Sequence, residues 1–231
     1  MKLIPTEDNK WGRPEEDGYL EYQLNSGIVL AYDGHLDCGG ILTHVEFAEI
    51  VKTSNRTYNR GFEWCIGLGA IGFELLGQKI CKNLSGNDYY DKAIESCKET
   101  AKKNNLTDNF RGHVSSTIST IVDDKWDLVV GNPPHCWTFE EVSVEHVPDH
   151  MKDNIQRCLV DDNMEIHAEF FKNIRSKLTD DADVFLSEAD TSPDTTAKIL
   201  EMAKAGGLTY VKTFPFPKLF PAAAIHLFKP N

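Results

Sequence analysis

A chain of 231 residues suits one α/β domain with a well-buried core and is short for two. Its 41% hydrophobic and 26% charged residues are ordinary for a soluble globular protein, and no apolar run approaches the ~20 residues of a membrane span. A net charge of −12 weighs against a large phosphate-binding surface, so a protein or small-molecule partner is expected before a nucleic acid.

The first 26 residues, "MKLIPTEDNKWGRPEEDGYLEYQLNS", are polar and punctuated by proline, and are expected to form a peripheral segment. They contain no apolar h-region of a secretory signal, and the six cysteines form no C-x-x-C pair, so a cytoplasmic protein with reduced thiols is expected. From residue 27 to 231 the pattern becomes one domain of alternating elements. "THVEFAEIVK" (43–52) reads as a short helix and "GFEWCIGL" as a strand, and the turn from Gly67 to Gly69 opens a helix running through Leu76. "KNLSGND" is a second strand ending at Asp88, followed by the helix "DKAIESCKETAKKNN" with Ala93, Cys97 and Ala101 on one face. "FRGHVSS" and "KWDLVVGNPP" are the next strands. A polar segment, 137–163, precedes the helix "MEIHAEFFKNIRSKL" and the strand "ADVFLSEA". Ser192 as N-cap and Pro193 at N1 open "SPDTTAKILEMAKAGG", which ends in glycine. "LTYVKTFPFP" and "AAAIHLFKPN" close the chain as two strands with no helix between them. Alternating strands and helices predict a doubly wound, mostly parallel sheet, and the last pair predicts an antiparallel hairpin on one edge.

In such a sheet, ligands lie beyond the C-terminal strand ends. Gly67-x-Gly69-x-x-Gly72, with Asp88 about twenty residues on, satisfies the dinucleotide fingerprint, and the glycines alone do not distinguish a nicotinamide dinucleotide from S-adenosylmethionine (SAM). The deciding stretch is "DLVVGNPPHCW", which places Asn132-Pro133-Pro134-His135 directly after an apolar strand.

With these residues the chain resembles class I SAM-dependent methyltransferases bearing an Asn-Pro-Pro-aromatic motif, which include the release-factor glutamine methyltransferases and the methyltransferase small domains. The resemblance runs over roughly residues 27–230. It implies a Rossmann-like sheet of seven strands and SAM as cofactor. It also implies methyl transfer to a planar nitrogen, whose lone pair is delocalised and must be aimed at the methyl carbon. The Asn132 side-chain oxygen and the Pro133 carbonyl then accept the two N–H bonds of the acceptor, and the tandem prolines stiffen the loop. Pro134, His135 and Trp137 line the acceptor slot. His135 replaces the usual Tyr or Phe; imidazole can stack and, near its ordinary pKa, can also take up the released proton. Gly67, Gly69, Asp88, Cys65, Ser115 and Asn132 are the implied cofactor contacts. No metal is implied.

The sequence departs from that pattern at three places. Cys65 occupies the position of the usual acid two residues before the first glycine, with Glu63 nearby, either as a substitute or as a surface side chain. Ile71 stands where a third glycine is common, with Gly72 one residue later. Ser115 and Ser116 replace an acid at the end of the third strand. The acidic stretch 137–165, which includes Asp161, reads as a solvated face or as a rim that attracts cations. His35-x-Asp37 has the spacing of two iron ligands, but no pattern supplies a distal histidine.

For the acceptor, the charge favours a protein glutamine amide or a small-molecule amine or amide, with an RNA or DNA adenine or guanine as the alternative. Readings from other classes are an NAD-dependent oxidoreductase and a module that binds SAM and a partner without turnover.

Overall fold

The computed structural model describes residues 20–33, 36, 43–123, 125–135, 152, 158–189, 193–215 and 223–231. The first described elements are two short strands, β1 (Leu20–Gln23) and β2 (Val29–Tyr32), paired as an antiparallel hairpin. Within the stretch expected to be peripheral, Leu24 is buried, and the hairpin lies against a later helix. Helix α1 (His44–Lys52) follows, then β3 (Tyr58–Trp64), α2 (Ala70–Gly77), β4 (Cys81–Asp88) and α3 (Asp91–Lys103). β5 (Phe110–Val114) and β6 (Trp126–Gly131) come next. A 3-10 turn over Asp162–Met164 leads into α4 (Glu165–Ile174), then β7 (Leu178–Ala189), α5 (Pro193–Ala205), β8 (Leu208–Pro215) and β9 (Ala223–Pro230).

Seven strands form one sheet in the order β5-β4-β3-β6-β7-β9-β8. β3 to β7 run parallel, while β9 is antiparallel to both β7 and β8. The terminal hairpin and the doubly wound sheet are as the sequence predicts. The order reverses between β3 and β6, so a crevice opens beyond their C-terminal ends.

Side-chain alternation along the central strands divides the core between the two faces. Leu128 and Val130 of β6 and Phe185 of β7 pack on one side with α1, α2, α3 and the β1–β2 hairpin. Phe62 and Trp64 of β3, Val129 of β6, and Val184 and Leu186 of β7 pack on the other with α4 and α5. The α3 face of Ala93, Cys97 and Ala101 is buried as its four-residue spacing requires. On the same helix Thr100 and Asn104 hold the hairpin: Ala31 N–H donates to Thr100 Oγ1 at 2.9 Å, and Val29 N–H to Asn104 Oδ1 at 2.9 Å. Among the described residues, no helix is long and apolar enough to cross a membrane.

Candidate active site

The C-terminal ends of β3, β4, β5 and β6 surround a cavity of about 340 Å³, within the range of small-molecule sites (about 300–1,000 Å³). Cys65 and Gly67 from the β3–α2 turn, Asp88 from β4, Ser115 from the end of β5, and Asn132, Pro133, Pro134 and His135 from the end of β6 all line it. Residues as far apart in sequence as Cys65 and His135 thus meet in one space. Gly69 is absent from the lining and shapes the turn from behind. Trp137, His35, Asp37 and the Ser192 cap lie outside the described residues.

The three glycines of the turn serve different purposes. Gly67 has φ +52°, and a Cβ there would meet nothing within 4 Å, so its backbone faces open space. Gly69 has φ +76° as N-cap of α2, and a Cβ would lie 2.8 Å from the Phe73 ring. Gly72 lies inside α2, where a Cβ would come within 2.5 Å of Glu63 Oε2 and 2.8 Å of both Leu84 methyls. The third glycine of the fingerprint therefore makes room for a carboxylate beneath the helix, not for a phosphate above it.

That carboxylate is not the surface side chain weighed from the sequence. Glu63, the penultimate residue of β3, is buried and accepts the Gly72 N–H at 2.7 Å. Burial pushes its pKa up to about 8, against the opposing effect of hydrogen bonds from the Gly72 and Ile71 backbone; the charge of Asp88 adds a smaller upward push. A carboxyl group held mostly neutral at pH 7 thus fixes the first turn of α2 to the strand. Because the folded pKa exceeds the unfolded one, its contribution to stability is complete below about pH 4.5 and is lost as pH rises towards 8. Chemical denaturation across that window is expected to show a decline that Glu63→Gln abolishes, a few kcal/mol at about 1.4 kcal/mol per unit. An equal slope in the two proteins would contradict the assignment.

Asp88 closes the turn from the next strand. Its Oδ2 accepts the Gly67 N–H at 3.0 Å and its Oδ1 the Tyr90 N–H at 3.0 Å. Beside it, Asn87 donates from Nδ2 to the Ser115 carbonyl at 3.0 Å, while its buried Oδ1 has no partner. The sequence reading missed Asn87. An unsatisfied acceptor on a cavity-lining residue is what a bound donor would satisfy. Ser115 Oγ donates to the Thr117 carbonyl at 2.9 Å, so it stabilises its own turn as well as lining the site.

Cys65 adopts φ +54°, uncommon for a residue with a side chain, at the point where β3 bends into the turn. Burial first, then the Asp88 and Asp161 charges, push its thiol well above the usual range. It lines the site as a neutral thiol and is no nucleophile.

His135 sits deep in the cavity. Burial pushes its pKa down to about 4, with Glu188 opposing and His167 reinforcing the shift. The ring is therefore neutral at pH 7, where its ordinary value would put it close to titration. Its backbone is fixed by a parallel bridge to Val160 and by the Asp161 N–H, which donates to the His135 carbonyl at 2.8 Å. Asp161, expected on a solvated face, is buried. Glu63 and Glu188 had a visible signal that was underused: each is an acid beside the apolar C-terminal part of a central strand, Phe62 and Trp64 flanking the first and Val184–Leu186 preceding the second.

A seven-stranded sheet of this order, with its glycine turn and Asn-Pro-Pro loop at the switch in strand order, defines the class of SAM-dependent methyltransferases. Residues 35–181 match the methyltransferase small domain family, and the chain belongs to that family. Over 71 residues it is 38% identical to the release factor glutamine methyltransferase of Aliivibrio fischeri, covering 30% of this chain and 24% of that protein. The chain thus matches about a quarter of the length of that curated relative. Among solved structures, the ribosomal protein L11 methylase of Lactobacillus delbrueckii subsp. bulgaricus superposes with TM-score 0.57 at 14% identity, covering 82% of this chain and 79% of the other. TrmN of Thermus thermophilus does so with TM-score 0.59 at 14% identity, covering 85% and 52%. These structural likenesses concern the fold. The family match displaces the nicotinamide oxidoreductase reading.

Proposed function

We propose that this methyltransferase binds SAM over the Gly67–Gly69 turn and transfers its methyl group to a planar amide or amine nitrogen presented by Asn132 and Pro133. The observation that carries the proposal is that the glycine turn, Asp88 and the Asn132–His135 loop line one cavity. Asp88 would hold the ribose hydroxyls, Gly67 would allow close backbone approach, and Asn87 Oδ1, Cys65 and Ser115 would line the cofactor side. Bound SAM supplies an electrophilic methyl carbon on a sulfonium.

The chain itself supplies orientation. The Asn132 amide oxygen and the Pro133 carbonyl would accept the two N–H bonds of the acceptor, fixing its nitrogen and favouring the positive charge that develops on it. Prolines at 133 and 134 lock two φ angles, which reduces the freedom the loop must lose. His135, neutral at physiological pH, would lie against the planar group as a stacking surface, with Pro134 beside it. His135→Phe is then expected to keep the rate within about threefold with an unchanged profile between pH 5 and 8, and His135→Ala to lose about three- to tenfold, the worth of one aromatic contact. A collapse of activity in His135→Phe would instead indicate proton transfer by the imidazole.

For the acceptor we favour a protein glutamine amide or a small-molecule amine or amide. The net charge of −12 opposes polyphosphate partners, and the curated relative over residues of this domain acts on a release-factor glutamine by its name. A cytoplasmic setting fits that substrate class. The test is transfer of tritium from [methyl-³H]SAM to a cell lysate split into protein, RNA and metabolite fractions. Label in the protein or metabolite fraction supports this reading; label in RNA alone selects the nucleobase alternative. Calorimetry with SAM and NADH in parallel should give heat with SAM only. SAM binding without transfer to any fraction would favour a non-catalytic module.

A further inference from the structure

Behind the wall of the cavity lies a buried cluster that the proposed reaction does not use. His167, in the first turn of α4, has no exposed surface. Its Nδ1 lies 2.6 Å from Asp161 Oδ2, and its Nε2 lies 3.1 Å from both carboxylate oxygens of Glu188. Asp161 and Glu188 are themselves 3% and 1% exposed. Three titratable side chains thus spend their hydrogen-bonding capacity on one another and on the backbone. Such clusters stabilise a fold poorly, because the cost of desolvating charges offsets their attraction, and apolar residues of equal volume often do better.

Its value lies in what it joins. The Asp161 carboxylate accepts the N–H groups of Ile166 (2.9 Å) and His167 (3.0 Å) at the start of α4, while its own N–H holds the His135 carbonyl. Glu188 lies near the end of β7, the neighbour of β6, two residues beyond the pairing of Leu186 with Gly131. Gly131 is the residue before Asn132. The His167 ring also meets the Trp64 ring edge-on, with centroids 5.3 Å apart and planes at 83°. Trp64 is the last residue of β3 and lines the cavity. One imidazole therefore connects α4, β7, β3 and the segment that clamps the loop. The charged or titratable groups facing this cluster from neighbouring elements are His135 on the loop and Cys65 on the glycine turn; both feel the charge of Glu188.

We propose that Asp161, His167 and Glu188 are positioning residues for methyl transfer, holding the Asn132–His135 loop in place against the cavity without touching the acceptor. An imidazole bonded at both nitrogens has a fixed direction at each end, so it fixes the separation of the two carboxylates and the elements that carry them. Displacement by about 1 Å is enough to cost a rate about 100-fold when orientation carries the catalysis. The inference rests on the reading that the loop presents the acceptor.

The experiment uses the full chain and two near-isosteric variants, Glu188→Gln and His167→Gln. Each is compared with wild type for SAM affinity by calorimetry, melting temperature, and rate of tritium transfer from saturating [methyl-³H]SAM to the lysate fraction that wild type labels. Both variants are expected to lose about 10- to 100-fold in the saturating rate while SAM affinity changes less than about threefold, because Gly67 and Asp88 sit apart from the cluster. Should His167→Gln fail to fold, Glu188→Gln decides, since it keeps the volume and one hydrogen-bonding oxygen. A lower melting temperature with an unchanged saturating rate, measured well below melting, overturns the proposal and leaves a structural cluster. Asn132→Ala separates the two levels: if it keeps the wild-type rate, the reading of the loop fails and takes this inference with it. If it loses the rate and Glu188→Gln does not, only the positioning role fails.

Discussion

Asn132→Ala is expected to lower the rate of methyl transfer by about 10²- to 10³-fold while leaving SAM affinity within a few-fold of wild type. That magnitude is the usual consequence of deleting one preorganised polar group that acts on developing charge. The Asn132 amide contributes twice in the proposed geometry: it fixes the orientation of a nitrogen with a poorly available lone pair, and its oxygen faces the positive charge that grows as the bond forms. Alanine leaves the loop backbone, the two prolines and the His135 clamp in place, so the cavity keeps its shape. In the proposed geometry SAM is held by Gly67, just after β3, and by Asp88 at the end of β4, so its binding should persist. Kinetically this is a loss in kcat with little change in the cofactor constant, the mark of an interaction made in the transition state. Equal losses of affinity and rate would mean that Asn132 belongs to the cofactor site alone.

Gly72→Ala and Gly67→Ala are expected to separate folding from binding. At Gly72 an added methyl group enters a space already filled by Glu63 Oε2 at 2.5 Å and the Leu84 methyls at 2.8 Å. The helix would gain up to about 1 kcal/mol in propensity from alanine, but overpacking of this kind costs about 1–3 kcal/mol and forces the buried carboxyl away from the Gly72 N–H. The net expectation is a loss of stability, read as a lower denaturation midpoint, together with weaker SAM binding as the turn shifts. At Gly67 the protein offers no clash at all within 4 Å, and the cost is only that of a left-handed residue, about 1–2 kcal/mol. If that open space belongs to SAM, Gly67→Ala should bind it at least tenfold more weakly than its modest stability loss suggests. The reverse pattern, with Gly67→Ala binding normally, would place the cofactor elsewhere.

These residues also mark how far the sequence could be read. The order of elements was legible because β6 and β7 carry the apolar runs Leu128–Val130 and Val184–Leu186, and because Pro193 and the glycines at 206 and 207 punctuate α5. The cavity was legible for a similar reason: in a parallel sheet, chemistry-bearing residues that follow apolar strands arrive at one edge, which unites Gly67, Asp88, Ser115 and Asn132. The β1–β2 hairpin was not, since its short strands alternate weakly and are held by Thr100 and Asn104, more than sixty residues away. What Gly72 makes room for was not legible, for a subtler reason. A fingerprint records which backbone positions need glycine but not what occupies the vacant space, and here the occupant is a side chain from the preceding strand. The Asp161–His167–Glu188 cluster could not be assembled from spacing, because three separate elements bring it together only after folding. The imidazole of His135 changed character for the same cause. Its ordinary pKa places titration close to neutrality, and burial moves it down to about 4.

The most direct measurement is a crystal structure of the protein with S-adenosylhomocysteine. The nucleoside is expected beside Asp88 and Asn87, the amino-acid portion over Gly67, and the sulfur facing the Asn132 side chain, with room between them for a methyl group and a planar nitrogen. Density for the product anywhere other than this crevice, or a sulfur turned away from Asn132 with the loop out of reach, would contradict the proposed transfer.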